Sequence, residues 1–205
     1  MTNSNHFGNS VYYKKGDNIS NKTLTDVYGD SLKIIPSKGF THLQFRRFSG
    51  CPICNLHLRS FASQNEKLLE WKVNEIVIFH SPQQELSPFV NDLPFSIIAD
   101  PEKKLYRQFG VESSWKSIFT PRILKAVLKG SIFSFWEMIF KGKPLPPIKP
   151  HGGSYGVPAD FLISEEGEII ACKYGKHADD QWSVEELIGL IKKYRSNLQC
   201  TYIPS

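Results

Sequence analysis

The apolar residues of this chain occur in short runs, and the spacing within each run predicts strands and helices in alternation. Residues 73–79, VNEIVIF, have the continuous β-branched and aromatic content of a strand that is covered on both faces. Residues 41–48 form a weaker strand by pattern, and a helix follows from Pro52 to about Trp71. The apolar face of that helix consists of Cys54, Leu58, Phe61, Leu68 and Leu69. Together these elements predict a βαβ unit.

The alternation continues beyond residue 79. The further predicted elements are a short helix over 86–91, a strand over 95–99, a helix over 101–109 capped by Asp100, and a β-hairpin of 161–163 with 168–174. A last helix begins at Ser183, and Glu186 three residues later completes a capping box. The chain is therefore expected to form an α/β fold.

Two stretches depart from this pattern. Residues 1–30 are rich in Asn, Ser, Gly and Lys and predict a loose lead-in with little regular structure. Residues 31–205 are expected to form one domain, with an insertion at about 114–150 that is basic, aromatic and rich in proline. Residues 123–143 favour two amphipathic helices that pack on the domain's own core or at a homodimer contact. A lid over a functional site, or a peripheral membrane contact, is the alternative.

Composition narrows the class of protein only a little. Among 205 residues, 40% are hydrophobic and 22% charged, as in ordinary globular proteins, and the formal charge of +5 is scattered rather than clustered. A scattered charge of this size does not indicate nucleic acid. The first eleven residues contain no secretory signal, and the longest apolar run is far shorter than the roughly 20 residues that span a bilayer. We therefore expect a cytoplasmic protein.

The chemistry of the chain is concentrated in one C-x-x-C motif. Cys51 and Cys54 follow the first predicted strand directly, with Ser49 and Gly50 as a small capping segment and Pro52 in the first helical turn. Unpaired N–H groups and the helix dipole at that end favour a thiolate and lower a cysteine pKa from about 8.5 to about 3.5–7.5. Cys51 is thus predicted to attack, and Cys54, one turn further in, to resolve the product.

Other interpretations of these residues stay open. Cys51, Cys54 and His57 have the spacing of part of a zinc site, although no second C-x-x-C supplies the remaining ligands, and no metal is expected. Two inert core cysteines are the simpler alternative, whereas Cys172 and Cys200 are assigned no redox role.

Two arginines and three histidines are candidate neighbours of the motif. Arg46 and Arg47 precede the motif on opposite faces of the strand, so that one of them could support a thiolate at Cys51. The sequence does not indicate which one. His57, His80 and His151 are more simply interpreted as surface histidines.

Four segments resemble a known family. They are FRRFSGCPIC, IVIFHSPQQEL, LPFSIIADPEKKLYRQFGV and GVPADFLISEEGEII, and they are similar to the peroxiredoxin-like AhpC/TSA branch of the thioredoxin superfamily, in a subgroup with a C-x-x-C motif. The resemblance covers residues 32–194. It implies a thioredoxin-like three-layer α/β/α fold with a central mixed sheet, and places the helical insertion before the last β-hairpin.

The resemblance also implies a site and two departures from it. Pro158 is expected to be a cis proline that faces the reactive cysteine and shapes the substrate groove. Phe48 stands where the family usually has a threonine, and Pro158 where it usually has an arginine, and both family residues bind the peroxide.

The sequence and the resemblance together predict an antioxidant thiol enzyme without a cofactor. Cys51 attacks a peroxide or a disulfide, Cys54 resolves the product to an internal disulfide, and an external thiol such as thioredoxin reduces it. The alternatives are a thioredoxin-type disulfide reductase without peroxidase activity and a non-enzymatic protein that binds a partner through the aromatic, basic insertion.

Overall fold

A computed structural model describes residues 12–111 and 156–201, with side chains to Leu198. Within these ranges the strands are β1 (Thr23–Thr25), β2 (Ser31–Lys33), β3 (Phe40–Phe45), β4 (Val73–Phe79), β5 (Ser96–Ala99), β6 (Ala159–Ser164) and β7 (Ile169–Tyr174). The helices are α1 (Pro52–Ala62), α2 (Asn65–Glu70), α3 (Gln83–Val90), α4 (Lys104–Gln108) and α5 (Val184–Thr201). The predicted insertion at about 114–150, together with His151, lies outside the described residues, as does the side chain of Cys200.

Five strands form one mixed sheet in the order β5-β4-β3-β6-β7. Strands β3, β4 and β5 are parallel, whereas β6 and β7 run antiparallel to their neighbours. β3 therefore lies at the centre, and its carboxyl end meets the start of β6. This sheet and its helices confirm the predicted thioredoxin-like α/β fold.

Side chains from alternate positions of the strands form two apolar clusters on the two faces of the sheet. On β4, Val77 belongs to the cluster that contains residues of α1, α3 and α5, whereas Ile76 and Ile78 belong to the cluster that contains residues of α4. Since β4 is covered on both faces from Ile76 to Phe79, that part of its sequence is a continuous apolar run, and the strand has the bounds that the pattern predicted, residues 73–79.

The single helix predicted from Pro52 to about Trp71 is wrong, because the structure contains two helices there. The N–H of Ser63 bonds to Arg59 and that of Gln64 to Phe61, which ends α1 in a tightened turn. In the short α2 that follows, Leu68 is fully buried but Leu69 is 61% exposed. Leu69 is therefore not part of the apolar face to which the periodicity assigned it.

The described part of the lead-in is more ordered than the sequence indicated. Strands β1 and β2 pair antiparallel, and Ile19 and Leu24 are buried against the sheet. The N–H of Ile19 bonds to Gly167, and the N–H of Ile169 bonds to Asp17. Regular structure in residues 12–30 is limited to β1 and one isolated bridge at Asn18, as expected, but this part is not loose, because isolated apolar residues and backbone groups attach it to the turn before β7. The division into residues 1–30 and 31–205 stays a prediction.

One of the two predicted helix caps is confirmed and the other is displaced. The Asp100 carboxylate accepts hydrogen bonds from the N–H groups of Lys104 and Leu105, but α4 begins at Lys104 rather than at residue 101, and its N-cap is Lys103 rather than Asp100. Ser183 and Glu186 bond reciprocally, at 2.7 and 3.1 Å, as a capping box does. Among the described residues, none of the helices combines the length and apolarity that crossing a bilayer requires.

Candidate active site

The C-x-x-C motif lies at the carboxyl end of β3, where a tight turn leads into α1. Gly50 has φ of 69°, a left-handed backbone conformation that residues other than glycine adopt only at an energetic cost. Cys51 is the N-cap of α1 and Pro52 its first residue. The predicted capping role of Ser49 is wrong, because its N–H bonds to the Ser81 hydroxyl and its own hydroxyl lies 3.5 Å from the Glu85 carboxylate. The first N–H groups of α1 therefore face the sulfur of its own N-cap.

The Cys51 thiol is buried and lies in a positive environment. It is 2% exposed, and the guanidinium of Arg47 lies 3.7 Å from its sulfur. Burial by itself would raise the pKa of Cys51, but a hydrogen bond with Cys54, the charge of Arg47 and the N–H groups of Cys54 and Ile53 lower it to about 6. A thiol with this pKa is mostly thiolate at neutral pH.

The Cys54 thiol has the opposite character. It is 1% exposed, and burial, together with the hydrogen bond to Cys51 and the negative charge on Cys51, raises the pKa of Cys54 well above its ordinary value. Both cysteines are free thiols in this structure. The pair thus combines one thiolate with one protonated thiol that donates a hydrogen bond to it.

A narrow cleft leads to the two sulfurs. Its free space admits about one water molecule. Most of its wall is apolar, and the residues that line it are Ser49, Gly50, Cys51, Cys54, Asn55, Leu58, Phe79, Phe89, Val90 and Leu93. A space of this size cannot hold a side chain of another protein.

The two arginines before the motif diverge, as the alternation of a strand requires. Arg47 approaches Cys51, and its guanidinium also lies 5.3 Å from the centre of the Phe48 ring. Arg46 is fully buried on the α1 face, where it bonds to Asp160 at 2.7 Å and to Gln44. Of the two candidates, Arg47 is therefore the one at the thiol.

A buried polar cluster surrounds Arg46. His42 bonds to Glu75 at 2.8 Å, Gln44 bonds to Glu75, and His42 lies 3.3 Å from Asp160. Burial would lower the pKa of His42, but its two carboxylate neighbours raise it to about 9. Burial would raise the pKa of Asp160, but Arg46 and His42 lower it well below its ordinary value. The cluster therefore holds two positive and two negative charges.

Sequence reasoning missed this cluster, although a signal was present. His42, Gln44 and Arg46 occupy alternate positions of one strand, so that they share a face, and that face is buried. Three polar residues at such spacing on a central strand indicate partners elsewhere in the chain, because buried polar groups require hydrogen bonds. Asp160 is such a partner, and its register opposite Gln44 follows only from the fold.

Pro158 lies at the same end of the sheet but differs from the expectation. No peptide bond in residues 12–111 and 156–201 is cis, so the cis proline that the resemblance implied is wrong for Val157–Pro158. The Pro158 carbonyl accepts the N–H of Gly175 at 2.8 Å. Nearby, a Cβ on Gly156 would lie 3.5 Å from a side-chain carbon of Arg47, so this segment packs beside the site.

The described histidines do not complete a metal site. His57 lies 3.2 Å from Arg46 and stacks on Phe61. His80 is 1% exposed and lies beside the Tyr106 ring, so the expectation of a surface histidine is wrong there. Over the described ranges, no three His, Cys, Asp or Glu side chains lie close enough together to hold a metal ion.

Comparisons with known proteins agree with this architecture. Residues 60–177, a little more than half of the chain, match the profile of the AhpC/TSA antioxidant enzyme family. The matched segment begins after Cys54, so the thiol pair is identified by its geometry rather than by the match. A comparison with curated proteins finds no match.

Solved structures share the fold at low identity. The peroxidoxin BcpB from Mycobacterium tuberculosis is 14% identical with a TM-score of 0.60, over 90% of this chain and 98% of that one. The yeast mitochondrial 1-Cys peroxiredoxin is 12% identical with a TM-score of 0.62, over 91% and 78%. A putative thiol:disulfide interchange protein DsbE from Chlorobium tepidum is 15% identical with a TM-score of 0.55, over 86% and 97%.

The fold and the family match define the class of protein as a thioredoxin-superfamily oxidoreductase that works through thiols. The chain belongs to the AhpC/TSA antioxidant enzyme family, within its peroxiredoxin-like branch. It is therefore an enzyme, either a thiol peroxidase or a thiol–disulfide oxidoreductase. The non-enzymatic alternative rested on the insertion, which lies outside the described residues.

Proposed function

We propose that this protein is a thiol peroxidase in which Cys51 attacks a small hydroperoxide and Cys54 resolves the oxidised product. The observation that carries the proposal is the asymmetry of the two thiols. The pKa of Cys51 is lowered to about 6, whereas the pKa of Cys54 is raised well above its ordinary value. One sulfur is thus ready to attack at neutral pH, and the other keeps its proton until it is needed.

The reaction takes place in three steps. The Cys51 thiolate attacks the terminal oxygen of ROOH, the O–O bond breaks, and RO⁻ leaves and takes a proton from solvent, which gives a Cys51 sulfenic acid and ROH. The Cys54 sulfur then attacks the Cys51 sulfur, and the hydroxyl leaves with the Cys54 proton as water. Two equivalents of an external thiol reduce the resulting disulfide, and they leave as their own disulfide.

Neighbouring residues have supporting roles in this proposal. Arg47 stabilises the thiolate before attack. Pro52 is the first residue of α1, a position at which a backbone N–H would have no partner within the helix, so its absence in proline costs nothing. Pro158 contributes to the frame of the site through its bond with Gly175. Arg46 acts on the structure of the strand rather than on the substrate.

The shape of the cleft favours a peroxide over a protein disulfide. Thiol–disulfide exchange with a protein requires the attacking sulfur to contact a sulfur of the partner, but Cys51 is 2% exposed. Hydrogen peroxide, the smallest hydroperoxide, has only one heavy atom more than the water molecule that the cleft admits. The reductant in this proposal is a thiol such as thioredoxin, and the protein works in the cytoplasm, where such reductants are maintained.

The test is peroxide consumption by purified protein with thioredoxin, thioredoxin reductase and NADPH. We expect Cys51→Ser to reduce turnover to background and Cys54→Ser to consume one equivalent of peroxide without turning over. Cys172→Ser is the matched control, because Cys172 bonds to the Tyr13 carbonyl and belongs to a different cluster from the thiol pair, and its turnover should be unchanged. Wild-type turnover in Cys51→Ser would refute the assignment of the nucleophile.

A disulfide reductase is the second candidate, and one observation favours it. Phe48, at the position where the resemblance implies a threonine, is buried beside both cysteines and has no hydroxyl to polarise a peroxide. Stopped-flow oxidation of the reduced protein separates the candidates. Faster reaction with hydrogen peroxide than with an oxidised model peptide supports the peroxidase, and the reverse order supports the reductase.

A further inference from the structure

Asp160 is a fully buried carboxylate that the proposed reaction does not use. One of its oxygens lies 2.7 Å from the Arg46 guanidinium and 3.3 Å from the His42 ring, and its other oxygen accepts the N–H of Trp182 at 3.2 Å. A single side chain thus bonds to the end of β3 and to the segment that precedes α5.

Both of these segments contact the reactive cysteines. Arg46 is followed directly by Arg47, whose guanidinium lies at the sulfur of Cys51. Trp182 ends the loop 175–182, and Ala178 of that loop is fully buried in the small cluster that contains both cysteines. Two residues that contact the thiol pair, Arg47 and Ala178, thus belong to segments that Asp160 holds.

We propose that Asp160 is a positioning residue for the thiol pair: by bonding Arg46 and the Trp182 N–H with its two oxygens, it fixes Arg47 and Ala178 around Cys51. The inference rests on the proposed function in so far as Cys51 is the reactive thiol. It does not depend on whether the oxidant is a peroxide or a disulfide.

Other contacts hold either the residues after β3 or the loop 175–182, but none of those described below joins the two. The Tyr106 hydroxyl donates to the carbonyls of Arg46 and Ile78 from the opposite face of the sheet. Lys173 pairs with Asp180 at 2.8 Å and bonds to the Gln181 carbonyl, which orders the loop from β7. Of these described contacts, only those of Asp160 connect the strand that carries Arg47 with the loop that carries Ala178.

The direction in which the pKa of Cys51 changes when the Asp160 charge is removed distinguishes a positioning role from a direct electrostatic influence. The charged and titratable groups facing Asp160 are His42 of β3, Arg46 directly after β3, His57 of α1 and Lys173, its register partner on β7, with Glu75 of β4 behind His42. Removing a negative charge from this group would lower the pKa of Cys51 or, if His42 releases its proton, leave it unchanged. Loss of the Arg47 contact would instead raise it.

The experiment measures the rate of Cys51 alkylation by iodoacetamide against pH, in the reduced full-length protein. We expect Asp160→Asn to raise the midpoint by about one pH unit, so that alkylation at pH 5 is about tenfold slower. Glu75→Gln is the matched control, because the Glu75 carboxylate is buried in the same cluster but bonds to His42 and Gln44. It should lower the unfolding midpoint and leave the alkylation midpoint in place.

Each outcome decides the proposal. An unchanged or lowered alkylation midpoint in Asp160→Asn overturns it, and so does an equal rise in Glu75→Gln. If Asp160→Asn does not fold, Asp160→Glu keeps the charge and displaces the carboxylate by one methylene, and the same rise is expected there. A wild-type midpoint near 8.5 would refute the proposed function instead, because Cys51 would then be an ordinary thiol.

Discussion

Arg46 and Arg47 are neighbours in the sequence, yet they lie in two regions with different chemistry. Arg46 is enclosed on the α1 face of the sheet, where its charge is balanced within a cluster of two carboxylates and a protonated histidine. Arg47 lies against a sulfur, and its charge helps to lower the pKa of that thiol to about 6. The same side chain thus serves the stability of the fold in one position and the reactivity of a thiol in the next.

The difference shows that successive residues at the end of a strand, because they point to opposite faces, can have separate roles. A buried charge is stable only if neighbouring groups compensate it, and the Arg46 cluster meets that condition with residues of three strands. At Cys51 the thiolate itself is a compensating charge for Arg47. Protonating or oxidising Cys51 therefore removes the compensating charge at Arg47, whereas the charges of the Arg46 cluster remain paired with one another.

The largest expected effect comes from removing Arg46. Arg46→Met leaves Asp160 and Glu75 buried with His42 as the remaining positive partner in the cluster. Breaking a buried ion pair from one side costs about 3–5 kcal/mol in the free energy of unfolding. Urea denaturation at pH 7 measures it.

A surface ion pair provides the matched control for Arg46. Arg59 bonds to Asp92 through both nitrogens, at 2.6 and 2.7 Å, but the Asp92 side chain is 42% exposed. Arg59→Met should cost only about 0–1 kcal/mol, because solvent screens such a pair. Equal losses in the two variants would show that the buried cluster contributes no more than a surface pair.

The protonation of His42 has the next largest effect. Its pKa is raised from 6.5 to about 9 in the folded protein, so its proton stabilises the fold fully below pH 6.5, and this contribution is lost as pH rises through about 9. The difference corresponds to about 3 kcal/mol. His42→Gln should therefore lose more stability relative to wild type at pH 6 than at pH 10.

The measurement for His42 is the free energy of unfolding of wild type minus that of His42→Gln, determined at several pH values from 6 to 10. This difference is needed because Cys51 titrates in the same window with the opposite sign: its lowered pKa stabilises the fold at high pH, and that contribution is lost as pH falls through about 6. The Cys51 titration contributes equally to the free energies of unfolding of both proteins, so it cancels when that of the variant is subtracted. A difference that does not vary with pH would mean that His42 is neutral in the cluster.

The sequence predicts the parts of this molecule that depend on local pattern. Residues 73–79 form β4 with the predicted bounds, because a strand covered on both faces shows a run of successive apolar residues, here Ile76 to Phe79. The position of the thiol pair at the start of a helix follows from the order of strand, Gly50, Cys51 and Pro52. These features need no knowledge of the rest of the chain.

The missed features depend on contacts between distant residues. The assignment of Arg46 and Arg47 is decided by Asp160, which is 114 positions away and opposite Gln44 in the sheet. The order of residues 17–19 likewise depends on partners in the β6–β7 turn. Pattern gives the face on which a side chain lies, but not the group that it meets there.

The smallest expected effect bears directly on the difference between the two arginines. Arg47→Met removes a charge 3.7 Å from the Cys51 sulfur and should raise the pKa of Cys51 by about one to two pH units, or about 1.4–2.7 kcal/mol. Alkylation at pH 5 would then be ten- to a hundredfold slower, with stability at pH 7 changing far less than in Arg46→Met. Arg47→Lys should retain part of the shift, because the charge remains while the guanidinium geometry is lost. An unchanged midpoint in Arg47→Met would leave the N–H groups of α1 and the Cys54 thiol as the groups that stabilise the Cys51 thiolate, and Arg47 would then have no part in activating the thiol.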